Sequence, residues 1–293
     1  MNRIVHGDNL KALREMESES VQLIYVDPPF NTGRRQKRMQ MKTTRDESGD
    51  RVGFGGRRYR TELVELTKGA GGGYEDVFED FLGFLRPRLE EAHRVLSATG
   101  SLLFHIDYRE VHYCKVMLDE IFGRQCFQNE IIWAYDYGAR STKRWPAKHD
   151  NILWYTKHPE RYTFNLDGVD RIPYMAPGLV GAKKAARGKT PTDVWWHTIV
   201  SPTGKEKTGY ATQKPLGVVE RIVRVHSNVG ETVLDFFAGS GTTGEAAAKN
   251  ERAFVMVDES AEAVAVMERR LKQFGPRKEK VSRPKARKTK ASI

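Results

Sequence analysis

The chain has 293 residues, 39% of them hydrophobic and 10% aromatic, enough apolar content for one large α/β domain carrying insertions. Its 49 Lys and Arg against 38 Asp and Glu leave a net charge of +11, which invites a polyanionic partner, and no apolar run approaches the roughly eighteen residues of a membrane span. Two cysteines, Cys114 and Cys126, exclude a disulfide scaffold and a zinc site, and an N-terminus without a signal-peptide pattern points to the cytoplasm.

In chain order, Ile4-Val5 begins a short strand, and Gly7-Asp8-Asn9 turns it into a helix with Leu10, Leu13 and Met16 on one side. Asp8 suits the N-cap there. Leu23 to Val26 is a β-branched and aromatic run that reads as a buried strand, so Asp27-Pro28-Pro29-Phe30 forms its carboxyl end. In an open parallel sheet ligands bind just outside such ends. Two prolines fix the backbone and donate no N–H, Asp27 adds a carboxylate, and Phe30 adds a flat apolar face. Acceptors beside an aromatic plate suit a planar group carrying NH2, with the exocyclic amine of a nucleobase as the first candidate.

Residues 31–75 break the regular pattern. They carry Arg34, Arg35, Lys37, Arg38, Lys42, Arg45, Arg51, Arg57, Arg58 and Arg60 among many glycines, and they read as a basic loop, a lid that closes over a nucleic-acid strand or plain disorder without one. From Asp76 to Leu96 the apolar spacing is helical, interrupted at Pro87. Gly100 to Asp107 reads as a buried strand, Tyr108 to Phe122 as a helix, and Glu130 to Tyr135 and Asn151 to Tyr155 as two more strands. Residues 156–212 lack periodicity but are rich in Pro, Gly, Lys, Trp and His, which suggests an inserted recognition region; Trp195-Trp196 reads as packing first and base stacking second.

Thr212-Gln213-Lys214-Pro215 precedes a helix, with Pro suited to its start. Then Glu231 to Asp235 runs as a strand into Phe236-Phe237-Ala238-Gly239-Ser240-Gly241-Thr242-Thr243-Gly244 and a helix, followed by the strand Ala253 to Val257 ending at Asp258, and a last helix. This is a βαβ-type nucleotide site with an acidic residue placed for ribose hydroxyls. The glycines also satisfy a dinucleotide-dehydrogenase pattern. Against that, Asp235 would face a pyrophosphate unfavourably but pair with a cationic amino group. Too little chain also remains after Val257 to finish a sheet. Earlier strands must therefore complete it, and the Asp27 strand becomes a neighbour of the glycine-rich turn. From Gly275 to Ile293 eight Lys or Arg face one Glu, which reads as a disordered basic tail able to grip phosphates.

Asp-Pro-Pro-Phe early, Lys-Pro before a helix and Asp-Phe-Phe-Ala-Gly-Ser-Gly-Thr-Thr late, in that order, resemble the β-class, permuted DNA amino-methyltransferases. Ile24 to Gly33, Phe104-His105-Ile106-Asp107 and Asn129 to Trp133 extend the resemblance, which covers residues 1 to about 30 and 76 to about 272. It implies a doubly wound, mostly parallel, seven-stranded Rossmann-like α/β sheet of the class I methyltransferase type. The catalytic domain would span 1–274, with the basic loop 31–75 and the recognition insert 156–212 inside it and the tail 275–293 outside. It also implies S-adenosylmethionine as cofactor, no metal, and double-stranded DNA as partner, with a homodimer and a cognate restriction endonuclease as further candidates in a prokaryotic, nucleoid-associated setting.

By the same resemblance Asp27, Pro28, Pro29 and Phe30 are the catalytic residues. Asp235, Phe237, Gly239, Ser240, Gly241 and Thr242 form the methionine-end loop, Asp258 binds ribose, Asp8 binds at the adenine end and Lys214 belongs to the cofactor-side segment. Phe236 stands where many members have Pro. The target is adenine N6 or cytosine N4, with adenine favoured; carbon-5 methylation would need a cysteine nucleophile after Pro, a context neither cysteine has. A rival of another class is a basic DNA-binding protein with a vestigial cofactor fold.

Overall fold

The computed structural model describes residues 1–36, 39–49, 51–52, 56–65, 74–136, 141–201 and 204–281. Runs of β-branched and aromatic residues become strands. Arg3–His6 is β1, Val21–Val26 is β2, and all six residues of β2 are buried. Between them Asn9–Arg14 forms α1, opened by the Asp8 side chain accepting from Lys11 N at 2.9 Å.

Residues 31–75 are not one irregular loop. Arg34–Gln36 (β3) pairs antiparallel with Tyr74–Asp76 (β7), and Met39–Arg45 (β4) and Arg51–Val52 (β5) flank Arg58–Glu65 (β6) in a second small antiparallel sheet. The excursion is pinned at its base by Asp76, which is buried and accepts from Asn31 N at 2.8 Å and Thr32 Oγ1 at 2.5 Å. The lid reading falls partly on 37–38, 50, 53–55 and 66–73, which lie outside the described residues.

The helix expected from Asp76 starts later because β7 takes its first residues. It is α2, Phe81–Val95, capped by Asp80 onto Gly83 N at 2.7 Å, with Phe81, Leu85, Leu89 and Ala92 as its buried stripe and Pro87 inside it. Leu96–Ile106 (β8), Val111–Phe122 (α3), Phe127–Ala134 (β9) and His149–Thr156 (β10) follow. After Ala182–Arg187 (α4), Val194–Trp196 forms β11. Leu216–His226 (α5), Thr232–Asp235 (β12), Thr242–Lys249 (α6), Ala253–Asp258 (β13), Ala261–Leu271 (α7) and Arg277–Lys280 (β14) complete the chain.

The main sheet runs β11-β9-β10-β8-β2-β12-β13-β1-β14, and only β10 is antiparallel to its neighbours. The seven expected strands gain one at each edge. Within residues 156–212, β11 joins the sheet and buries Trp195 while Trp196 stays 76% exposed. The tail does not begin at 275, because β14 pairs with β1 and Glu279 binds Arg3 at 2.6 Å; residues 282–293 lie outside the described set.

Alternate residues of the central strands face two cores. Ile24, Val26, Leu102 and Phe104 pack with α1, α2 and α3, and Tyr25, Leu103 and Met256 with α5, α6 and α7. The early strand β1 lies beside the late strand β13, which is the permuted order. From β2 the chain proceeds to β8 on one side, and from β12 to β13 on the other. The sheet therefore switches direction between β2 and β12, and a crevice opens at their carboxyl ends.

Candidate active site

Both sequence motifs open into that crevice, a cleft of about 510 Å³ whose walls include Asp27, Pro29, Asp235, Gly239, Ser240 and Thr242. Asp27 leaves the end of β2 with Oδ2 2.5 Å from Lys214 Nζ, while its Oδ1 is buried without a partner. Pro28 is buried beneath it and Phe30 packs on the apolar core, with the Lys214 ammonium 4.8 Å above its ring. Lys214, expected on the cofactor side, is thus carried by the turn into α5 onto the Asp27 carboxylate. Its carbonyl accepts from Thr242 Oγ1 at 3.3 Å, which ties the two motifs together. The side chains of the pair are only 13% and 15% exposed. Lys214→Met strands both Asp27 oxygens, and calorimetric melting is expected to show a loss of about 3 kcal/mol.

The glycine-rich turn follows from what each backbone position must do. Gly239 has φ of +48°, donates to Asp258 Oδ2 at 2.8 Å, and would place a Cβ 3.0 Å from the Tyr210 ring. Gly241, at φ +73°, caps α6 away from the cleft wall, where a Cβ would meet Met267 Cγ at 2.9 Å, so glycine there serves packing of α6 on α7. Asp235 is buried at the end of β12 and accepts from Phe237 N at 3.0 Å and Thr243 Oγ1 at 2.6 Å. Burial, with added repulsion from Asp27 and Asp258, outweighs those bonds and pushes it up to about 7. Burial likewise raises Asp258, which accepts from Ser260 N at 2.8 Å.

Asp8 is not brought into the wall. It caps α1 and meets Arg88 Nη2 at 3.4 Å, and its neighbour Asn9 reaches the cleft instead, fixed by Nδ2 donating to the Phe236 carbonyl at 2.7 Å and by Arg88 Nε at 2.6 Å. Sequence reading also missed Tyr25, Phe84, Arg88 and Tyr210, all lining the cleft. Phe84 stands 6.1 Å from Phe237 with Arg88 stacked 3.8 Å over it, so one end of the cleft is an aromatic shelf. Nothing local in the sequence marks these residues: Tyr25 reads as core strand, Phe84 and Arg88 as helix positions, and Tyr210 falls in the aperiodic stretch 156–212. Phe236, in the Pro position of the resemblance, is fully buried and anchors the turn in the core.

A family model described as DNA methylase matches residues 21–269. The chain belongs to the DNA methylase family. This DNA methylase is 30% identical over 269 residues to the type II methyltransferase M.HpaI of Haemophilus parainfluenzae, covering 92% of this chain and 74% of that one. It is 29% identical to the DNA adenine methyltransferase YhdJ of Escherichia coli K12, over 92% and 82% of the two chains. A Thermus thermophilus protein, a putative DNA modification methylase solved with S-adenosyl-L-methionine, shares the fold with a TM-score of 0.58 at 21% identity, over 96% of this chain and 100% of that one.

The methylase's cleft fits such a donor on its own chemistry. Carboxylates at Asp235 and Asp27 favour a cation, Asp27 Oδ1 is a buried acceptor without a partner, and the Phe84–Phe237 shelf suits a flat ring. Among the described residues no group of His, Cys, Asp or Glu is placed to hold a metal, and no helix is long and apolar enough to cross a membrane. Cys114 and Cys126 are both buried, and burial pushes the Cys114 thiol up to about 12, so it is no nucleophile at neutral pH.

Proposed function

We propose that this DNA methylase uses S-adenosylmethionine to methylate the exocyclic amine of adenine, at N6, in a specific sequence of double-stranded DNA. The observation that carries the reading is the meeting of Asp27, with its partnerless buried oxygen, and the Asp235 to Thr242 turn in one cleft. Bound there, the cofactor supplies a methyl group already activated by its positive sulfur. The chain's residues do the rest. Asp235 pairs with the cationic amino group, Asp258 accepts from the ribose, and the aromatic shelf takes the far ring.

The base must leave the duplex to reach Asp27, at a cost of a few kcal/mol, and Phe30 offers it a stacking face. Asp27 Oδ1 and the Pro28 carbonyl accept the amine hydrogens, drawing the nitrogen toward tetrahedral geometry and concentrating its lone pair. Once the nitrogen carries the methyl, its surplus proton passes to the Asp27 carboxylate and on to solvent. Positioning and fixed charge carry the rate. Lys214 holds the other oxygen of Asp27 and neutralises it until the base arrives.

Adenine is favoured over cytosine N4 by the Asp-Pro-Pro-Phe motif and by the adenine enzyme among the relatives. Incubation with mixed-sequence DNA and mass spectrometry of the nucleosides is expected to show N6-methyladenine; N4-methylcytosine alone would move the assignment, and no methylated base would sink the reading. A homodimer and a cognate endonuclease belong to the same reading, and sedimentation velocity checks the first. For the basic tail, deletion of residues 282–293, which hold five Lys or Arg, is expected to reduce the salt slope of DNA affinity by up to about four without changing the site modified.

A further inference from the structure

Beneath the cleft runs a chain of buried polar groups that the reaction as described does not use. Tyr25 Oη lies 2.7 Å from His105 Nδ1, His105 Nε2 lies 3.2 Å from Asp150 Oδ2, and Tyr135 Oη donates to Asp150 Oδ1 at 3.1 Å. The four side chains come from β2, β8, β10 and the residue just past β9. His105 is fully buried, with Trp133 edge-on at 5.6 Å and Phe30 at 5.9 Å, so it also stands beside the stacking residue. A polar network this deep is costly unless every member is satisfied, and its geometry then becomes rigid.

A proton inventory gives the network a direction. Burial alone would raise Asp150, but the His105 hydrogen bond, with the Lys214 charge and the Tyr135 hydrogen bond, holds it below the ordinary carboxylate value, so it accepts only. Burial first, then the carboxylates of Asp27, Asp235 and Asp150, push Tyr25 well above its ordinary value, so it keeps its proton. His105 Nε2 therefore carries the hydrogen that Asp150 accepts. With Nε2 as the donor, the other ring nitrogen, Nδ1, is assigned as the acceptor of the Tyr25 O–H 2.7 Å away. What Tyr25 has left for the cleft it lines is an oxygen with free lone pairs.

That oxygen has a defined place. Leu23 and Ile24 of β2 pair with Val233 and Leu234 of β12, so Tyr25 falls beside Asp235. Asp27 follows two residues later on the same face of the strand. An acceptor set between two carboxylates suits a positively charged occupant.

We propose that Tyr25 is a contact to the cationic sulfonium end of the methyl donor, and that His105 and Asp150 are positioning residues that keep its oxygen turned to the cleft as an acceptor. The proposal rests on the amine-methylation reading, which requires the methyl to pass between an amine at Asp27 and the loop that begins at Asp235. Its consequence is discrimination. The oxygen attracts the positively charged donor and has nothing to gain from the neutral sulfide left after transfer, so spent cofactor leaves more readily.

The test is isothermal titration of S-adenosylmethionine and of S-adenosylhomocysteine into the full chain. Tyr25→Phe is expected to narrow the wild-type preference for the sulfonium over the sulfide by about threefold to fivefold, the worth of one weak contact to a polarised C–H. His105→Leu should match it, and the double variant should lose nothing further, since the two act through one oxygen. His105→Gln, whose amide can accept from Tyr25 and donate to Asp150, should restore most of the preference. An unchanged ratio in Tyr25→Phe, or equal weakening of both ligands, overturns the proposal; if His105→Leu does not fold, Tyr25→Phe decides alone. Failure of the amine reading shows elsewhere, as absence of any methylated amine with the wild-type chain.

Discussion

Asp27→Ala is expected to lower single-turnover methyl transfer by roughly 10²- to 10³-fold or more while S-adenosylmethionine still binds, because the lost group acts on the amine and not on the donor. On the proposed reading the carboxylate contributes the acceptor that pulls the amine nitrogen out of conjugation, and its Oδ1 is a buried oxygen without a partner. Removing it also leaves the Lys214 ammonium buried without its counter-charge, so a fall in melting temperature accompanies the loss of rate. Asp27→Asn separates the two effects, keeping one acceptor oxygen and the side-chain volume while discarding the charge. If Asn retains most of the rate, hydrogen bonding to the amine is the main contribution; if it falls as far as Ala, the negative charge is. Transfer at the wild-type rate by Asp27→Ala removes Asp27 from the reaction.

What the sequence made legible is where the backbone itself is constrained. Two prolines stiffen the exit from β2, and glycines at positive φ or in tight contact shape the turn after β12, so both motifs can be read as motifs. The pairing of Lys214 with Asp27 joins residues 187 apart and exists only because β2 and β12 are adjacent. Tyr25, His105 and Asp150 sit inside runs that look like core strand, and their polarity disappears into an apolar pattern. Strand β14, Arg-Lys-Glu-Lys, is charged because it is an exposed edge, and that same charge makes it read as tail. The hairpins of 34–76 hide for a related reason: their strands are broken up by polar and glycine residues and rich in arginine, and they lie outside the main sheet. Asp8 fits a helix cap and a ligand site equally well in the sequence, and in the structure its side chain caps α1 and meets Arg88.

Asp235 carries the other large effect, on the donor instead of the acceptor. Burial holds it at about 7, well above the 3.8 of a free carboxyl, so between those values the folded chain keeps a proton that the unfolded chain has released. The sign follows. Stability of the ligand-free protein is highest below about 4 as far as this group is concerned, and it declines as pH rises toward 7. A cationic amino group prefers the ionised form, so donor affinity should run the other way, climbing as pH passes through about 7, with proton release on binding visible in buffers of different ionisation enthalpy.

Asp235→Asn keeps an oxygen for Phe237 N and the volume beside Thr243 but can never carry charge. It is expected to weaken S-adenosylmethionine binding by roughly 10- to 100-fold above pH 7, to flatten the pH dependence, and to change the stability of the free protein little at pH 5, where the wild-type carboxyl is already neutral. The neutral-sulfide product carries the same amino group, so S-adenosylhomocysteine should weaken in parallel. That parallel loss distinguishes a contact to the amino end from one to the sulfur. Donor affinity that ignores both the substitution and the pH would place the cation elsewhere in the cleft and leave Asp235 as a buried brace for the turn.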